Sequence, residues 1–548
     1  MKNSQNIITG TVFTGMLLVW TVNVIFLINI PSALFPQHYI LPLGTLVSGI
    51  LFMVYFRKLL DITFGKSILV VISILFLLAV SLGFAGLYYD YSFDGQWYHQ
   101  QTVIQLANGW NIFETRLPEE VNGAVWINHY AKAPYLFQAA IYSLTGKIET
   151  AKGLNFMLAG FSFLLLAAYL RSYTRLSRIS VFGLSALTVS NPVVFSQLFT
   201  FLIDGIVCSL LLIFVLFLFH YHRTKSSVFL WAMFFTGTLT LNAKFTAAAY
   251  LAVICFFYLM YVLVRENRIQ TVKIIGFFFI MALWGVAGMG YHPYVQNTVE
   301  KGHPFYPIAG KNKIDIAKAH TSPDFNAKCR LGKFAISLFS RTETKSITFF
   351  EPEPKMPFTF TAREMYCASD PQVRVGGMGV LFSGIFLFTS LLAIVYLIFS
   401  FTLDTPRMLT SGLVITGIFA TIFINPEPWW ARYIAQIWWF PVLMIVECLQ
   451  DSRRFFRGAA HTLILLMVVN QGIFLLQSKK RITEANAAIS NTLELLKQNQ
   501  KVEVSFHMMQ SNKIRLQEAG IVFNEVKPDS SSDFIGFPNA DTQYRIIK

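Results

Sequence analysis

Residues 67–87 read SILVVISILFLLAVSLGFAGL, a stretch without one charged side chain. A helix needs ~20 predominantly apolar residues to cross the hydrocarbon core of a bilayer, so this run predicts a transmembrane helix. Directly after it, residues 88–99 read YYDYSFDGQWYH. Two carboxylates, a histidine and six aromatic rings thus stand where a span leaves the membrane. Working outward, runs of the same kind occupy 7–28 and 40–55 on one side. On the other they occupy 154–170, 179–198, 199–219, 228–241, 245–264, 274–289, 378–399, 409–424, 434–448 and 459–476. The run at 7–28 is too long for a signal-peptide core and has no small-residue cleavage site, so it reads as an anchor. Together the runs predict an all-α polytopic membrane protein with about thirteen transmembrane helices.

Composition points the same way. The 548 residues are 54% hydrophobic and only 13% charged, too little polar surface to cover a soluble globule of that size. The net charge of +15 would suit nucleic acid if it formed one patch. Instead the basic residues lie between apolar runs, so membrane lipids are the expected surroundings and nucleic acid is not an expected partner. Arg57, Lys58 and Lys66 share one connection; Arg171, Arg175 and Arg178, Arg223 and Lys225, Arg265, Arg268 and Lys273, and Arg453, Arg454 and Arg457 fill four more. Alternating spans bring all of these to one side, which the positive-inside rule makes cytoplasmic. The long connections 88–153 and 290–377 are then expected outside, on the periplasmic face of the inner membrane if the source is a bacterium. The chain divides into a membrane domain over 1–476 and a small soluble domain over 477–548. The latter has a helical pattern over 482–497 and alternating, strand-like stretches at 501–507 and 520–526, which predicts a small extracytoplasmic α/β tail. Lys479, Lys480 and Arg481 at its start run against that orientation.

Cys208, Cys255 and Cys448 fall within spans and read as packing residues. Cys329 and Cys367 fall in the second long connection, an oxidising place if it lies outside, and a disulfide between them is expected. No CxxC pair occurs, so no zinc or redox centre is indicated.

Asp94 permits two readings that do not exclude each other. It can cap a helix over 95–108 that Gly109 ends, and its carboxylate can take a proton from, or orient, a hydroxyl group. The spacing of Asp94, Tyr98 and Gly109 resembles the first outer loop of GT-C glycosyltransferases, in the branch of the protein O-mannosyltransferases and the lipid A aminoarabinose transferase. Further stretches resemble that family in order: Lys132-Ala133-Pro134-Tyr135-Leu136, Asp204-Gly205, Thr240 to Phe245 around Lys244, Asn297 with Gly302 to Pro307, and Arg432-Tyr433 with Pro441. The family carries an acidic residue after the loop Asp, where this chain has Gly95, and the two spans before that loop exceed its commoner single one. The resemblance runs over 89–441. It implies that Asp94 is the catalytic carboxylate and that Tyr98, Lys132, Asp204, Lys244, His303, Tyr306 and Arg432 line the substrate site; Asp90 and His99, without a clear family counterpart, are candidates for the same site by their place in the Asp94 loop. It implies a polyprenyl-phosphate sugar as donor, and a lipid, glycan or protein on the outer side as acceptor. It also implies that no cofactor is required, and the chain contains no nucleotide-binding glycine motif. One Asp and one His in a loop are too few ligands to predict a metal.

Plainer readings stand beside these. Asp204 and Lys244 near helix ends can snorkel to water, and Arg432 beside Trp429 and Trp430 fits an interfacial aromatic belt. His303-Pro304 and Pro307 fit a rigid turn. Two other functions are compatible with the layout. An O-antigen polymerase or ligase would rely on late-loop arginines such as Arg363 and Arg374. A non-enzymatic polysaccharide or lipid transporter would show repeated halves with matching broken spans, which this sequence lacks. On the glycosyltransferase reading, Asp94 is expected across a sugar-sized gap from Arg432 and a lysine, at one cavity.

Overall fold

The computed structural model describes residues 2–30, 36–316, 320–344, 351–400, 405–499, 501–527 and 533–547. Ten helices among them are long and apolar enough to cross a membrane: Lys2–Asn29, Gln37–Leu59, Phe64–Ala85, Ile148–Tyr173, Asp204–Thr224, Phe245–Arg265, Arg268–Gly288, Phe382–Phe399, Ala431–Leu449 and Arg454–Lys497. Shorter apolar helices at Arg178–Val189, Ser227–Leu241 and Thr410–Ile424 occupy three more of the expected spans.

The burial pattern is that of a chain dissolved in lipid. The most hydrophobic of the ten, Phe64–Ala85, has only 22% of its apolar window buried. Its Ile68, Leu69, Ile72, Leu75 and Phe76 face outward, an apolar face that water would not tolerate at this extent. Polar side chains are drawn inward instead: Asn23, Thr236, Thr238 and Asn470 are fully buried. Helical structure follows from the same solvent, since in hydrocarbon every backbone N–H and C=O must find its partner within the segment. Lys2–Asn29, Ile148–Tyr173, Asp204–Thr224 and Ala431–Leu449 form the centre, each with at least 72% of its window buried. Small residues let them approach. A Cβ on Gly15 would lie 2.1 Å from the ring of Phe161, the close contact that glycine provides between membrane helices.

One expected boundary shifts with consequences for the site. The apolar stretch 179–219 was expected to break at 198. Helix Arg178–Val189 stops earlier, and Asn191 caps a short helix beginning at Pro192, which lacks the N–H needed to continue a longer one. The next span starts at Asp204 rather than 199, which places that carboxylate in its first turn. Arg223 lies in the last turn of the same helix, so the acidic and basic ends of the bundle are opposite.

The last helix, Arg454–Lys497, runs 44 residues without a break through position 476. At 1.5 Å per residue it is roughly 66 Å long, about twice the hydrocarbon thickness, so its second half stands clear of the apolar bundle. A four-stranded sheet follows, β1 Val502–Ser505, β2 Asn524–Glu525, β3 Ile535–Gly536 and β4 Gln543–Ile546, in the order β2-β1-β4-β3. β1 pairs in parallel with β2 and antiparallel with β4. β1 and β2 lie within the stretches that alternation marked as strands; β3 and β4 carried no such mark. Ile482, Ile489, Leu493, Val504 and Leu516 form a core of their own, and Tyr91 from the first long connection joins it.

Cys329 and Cys367 are both free thiols, which corrects the expected disulfide. Cys329 is exposed and its sulfur caps helix Arg330–Leu338, accepting from the Gly332 N–H. Cys367 is buried in helix Ala362–Ala368 beside Glu343. Each sulfur is committed to a local contact of its own.

Candidate functional site

Asp94 opens a widened helical turn, Gly95–His99, which continues as helix Gln100–Ala107 and ends at Gly109 with φ +86°. Its backbone is already helical and its side chain makes no capping bond, so the expected cap is absent. The carboxylate turns instead to Arg432, 338 residues away in sequence, whose Nη2 donates to Oδ2 at 3.0 Å. The Nε of Arg432 lies 3.8 Å from Oδ2 of Asp204. The other oxygen of Asp204 accepts from Nζ of Lys244. Lys244 sits in extended backbone between helices Ser227–Leu241 and Phe245–Arg265.

These four side chains make an alternating row, Asp94–Arg432–Asp204–Lys244. Side-chain exposure along it is 18, 9, 6 and 22%. The ends can therefore meet a ligand, while the middle is fixed within the protein. Aromatic rings line the row. Lys244 Nζ stands 4.3 Å from the ring centre of Tyr433, and the Arg432 guanidinium is 5.4 Å from Tyr433 and 5.5 Å from Trp430. On Trp430 a further cation, Arg374, lies 4.9 Å from the ring centre. Its carbonyl accepts the N–H of Ala431, which ties the second long connection to the Arg432 turn. Burial, then repulsion from Arg432, pushes Arg374 down to about 10, against the pull of Asp94. Arg374 stands at this site although the sequence favoured it only for a polymerase or ligase. Trp430 and Tyr433 were also missed as site residues; the aromatic-belt reading had already accounted for the tryptophan.

One cavity opens on the row and a second lies among the helices nearby. The first, of about 210 Å³, is lined by Lys244, Tyr433, Trp430, Asn425, Glu427 and Asp315. The other, of about 260 Å³, is almost wholly apolar and runs between helices, lined by Leu211, Phe257, Val414 and Val442 among others. Its Gln436 also borders a separate small void lined by Asp204, Arg432 and Tyr433. Asp94 lines neither large cavity. The expected gap between Asp94 and Arg432 is absent: opposite charges within reach in a low-dielectric setting have closed onto each other.

The remaining expected residues divide. Tyr98 stays beside Asp94; burial, then the carboxylate's charge, raises its phenol well above the usual range. His99 is buried and shares a 2.5 Å hydrogen bond with the Tyr135 hydroxyl. Burial pushes its imidazole down to about 3, so it is neutral at ordinary pH. Asp90 is fully buried, away from the row. Its carboxylate accepts from the N–H groups of Ser92 at 2.7 Å and Phe201 at 2.8 Å, and burial raises it to about 6. Lys132 is buried with Nζ donating to the Tyr130 carbonyl and lying 5.7 Å from the Trp110 ring centre. Burial holds its amine well below the usual lysine range. His303 accepts from the Phe305 N–H at 3.1 Å, inside a turn. Tyr306 packs edge-on against His129 at 4.8 Å, its carbonyl held by Asn297. Lys132, His303 and Tyr306 thus brace the connections and do not join the row. Among the described residues no group of three or more His, Cys, Asp or Glu side chains is arranged to hold a metal ion.

Comparison with protein-family models, curated proteins and solved structures finds no match to this chain.

Proposed function

We propose that the protein is an integral membrane glycosyltransferase that moves a sugar from a polyprenyl-phosphate donor to a lipid, glycan or protein acceptor. One observation carries the reading. Asp94, Asp204, Lys244 and Arg432, each at a different helix end, meet in a single row at the end of the bundle opposite the arginine-rich turns. Caps and snorkelling side chains would have no reason to converge. Ionisable groups at such depth are costly and mark functional sites. On this reading about thirteen spans cross the membrane, with the row on the outer, periplasmic side of a bacterial inner membrane.

The mechanism follows from the chemistry of the row. The donor's phosphate competes with Asp94 for Arg432, with Lys244 and Arg374 supplying further positive charge, and its lipid tail lies in the apolar cavity below Gln436. Asp94, released from its ion pair, accepts the proton of the acceptor hydroxyl or amine. The acceptor atom forms its bond to the anomeric carbon from the face opposite the phosphate. The bond from that carbon to the phosphate oxygen breaks, and polyprenyl phosphate leaves with the electron pair. The cations stabilise charge as it builds on the leaving oxygen. Arg374 beside Asp94 favours one second reading, an O-antigen polymerase or ligase in which two arginines hold the donor.

The test is mass spectrometry of glycolipids and cell-surface glycans from cells with the protein, without it, and with Asp94→Asn at matched membrane abundance. A sugar modification present only with the wild-type chain is expected. If Asp94→Asn restores every glycan, the catalytic assignment fails and the ligase reading gains.

A further inference from the structure

We infer that the C-terminal sheet domain positions Asp94, and that Arg515 is the positioning residue through which it acts. This rests on the reading of Asp94 as the catalytic carboxylate.

Asp94 is not held by its own helix, because it makes no capping bond. Besides the bond of its carboxylate to Arg432, it is held through its neighbours in the turn. Four residues upstream, the carbonyl of Asp90 accepts from Arg515 Nη2 at 2.7 Å. Two residues downstream, Oε1 of Gln96 accepts from Arg515 Nη1 at 2.8 Å. One guanidinium therefore brackets Asp94 from both sides. It is 2% exposed, and its remaining donors reach Glu149 at 2.7 Å and Asn512 at 3.0 Å. A rigid planar fork with five donors suits such a bridge, and a lysine ammonium does not reproduce it.

Two more contacts from the same domain grip the same turn. The Ser511 hydroxyl donates to the Gln96 carbonyl. The Gln96 amide donates to the Asn539 carbonyl at 2.7 Å. From the other side, Glu149 accepts the Asp90 N–H at 3.0 Å and pairs with both Arg515 and Lys152. The domain is thus built into the floor of the Asp94 turn. A domain that merely docked there would need only surface contacts, not a buried arginine shared between two points of the turn.

The experiment uses the full-length protein in detergent and compares wild type, Arg515→Ala, Arg515→Lys, Ser511→Ala and Asp94→Asn. Amide hydrogen exchange is followed for peptides covering 88–100 and 501–547, and the glycan product is followed in cells. In Arg515→Ala, exchange over 88–100 is expected to rise at least tenfold, the membrane helices to stay protected, and product to fall with it. Arg515→Lys is expected to recover both in part. Ser511→Ala is expected to loosen 88–100 less and remains informative if Arg515→Ala does not fold. The inference is overturned if exchange rises only over 501–547, or if 88–100 loosens and product is unchanged while Asp94→Asn abolishes it. If Asp94→Asn leaves product unchanged, the catalytic reading fails by itself, and the exchange data still decide whether Arg515 holds the turn.

Discussion

The ion pair between Asp94 and Arg432 allows structure and chemistry to be separated by one double-mutant cycle. At the observed 3.0 Å, the gross Coulomb attraction at an effective dielectric near 20 is about 5.5 kcal/mol. Desolvation of two largely buried groups cancels much of this, and removing one partner of such a pair typically costs ~3–5 kcal/mol because the other is left uncompensated. The two ends of the pair are not equivalent. Arg432→Gln strips Asp94 of its bonded partner and leaves Asp204 with Lys244 alone, so it is expected to cost about 3–5 kcal/mol. Asp94→Asn leaves Arg432 near Asp204 at 3.8 Å and should cost about 1–2 kcal/mol. The double variant Asp94→Asn/Arg432→Gln has no charge to leave unpaired. It should regain about 1–3 kcal/mol relative to the sum of the singles. Stability is read from detergent-solubilised protein by thermal and denaturant unfolding, and activity from the glycan product in cells at matched abundance. If the pair is a structural latch, the double variant regains product together with stability. If Asp94 is the base and Arg432 the phosphate ligand, stability returns and product stays absent. Product at wild-type level from the double variant would refute the reasoning.

Three further outcomes are expected. Gly95→Ala should destabilise the Asp94 turn by about 1–3 kcal/mol, because its Cβ would sit 2.1 Å from Asp90 Oδ2 and 2.2 Å from Ser92 Oγ; unchanged proteolytic resistance over 88–100 would count against the packing described. Under native conditions Cys329 should react with a maleimide and Cys367 only after unfolding, and a mass two hydrogens below the all-thiol value would restore the disulfide. The imidazole of His99 titrates at about 3 when folded against ~6.5 unfolded, so its contribution to stability is complete above the unfolded value and is lost as pH falls toward the folded one. His99→Gln should therefore flatten the decline in melting temperature between pH 7 and pH 4, and an unaltered slope would show that other groups carry it.

Much of the bundle was legible because lipid makes the rule simple. A run of apolar residues must be helical, and its length is set by the bilayer. Where the outline blurred, a local competitor had intervened. Pro192 ended one helix early and thereby moved Asp204 into the first turn of the next. Lys479, Lys480 and Arg481 looked like an inside signal. Arg481 in fact reaches across to Asp370 at 2.8 Å, and it lies on a helix that carries on well past the apolar stretch. The disulfide was mistaken because shared location was all the sequence could offer; each thiol proved committed to a local contact.

The site was legible as a set of residue types and not as an arrangement. Acid and base at helix ends announce themselves, since hydrocarbon tolerates few of them. Which of them meet depends on how helices distant in sequence pack, and nothing local in Lys132 or Arg374 says that the first is buried under Trp110 while the second stands on Trp430. Gly95 is the instructive case. Its departure from the resembled family looked like the loss of a second carboxylate. In the folded chain the oxygen of Asp90 occupies the space where a side chain at 95 would begin, so the glycine is what lets Asp90 fold back beneath the turn. The row itself then has a consequence. Its two carboxylates and two cations sum to zero, which makes burial tolerable without a ligand. A donor phosphate brings one more negative charge, and to reach Arg432 it must displace a carboxylate. Asp94, more exposed than Asp204 and held by one hydrogen bond from the row, is the one that yields. On the proposed mechanism the base is therefore freed only when the donor has arrived.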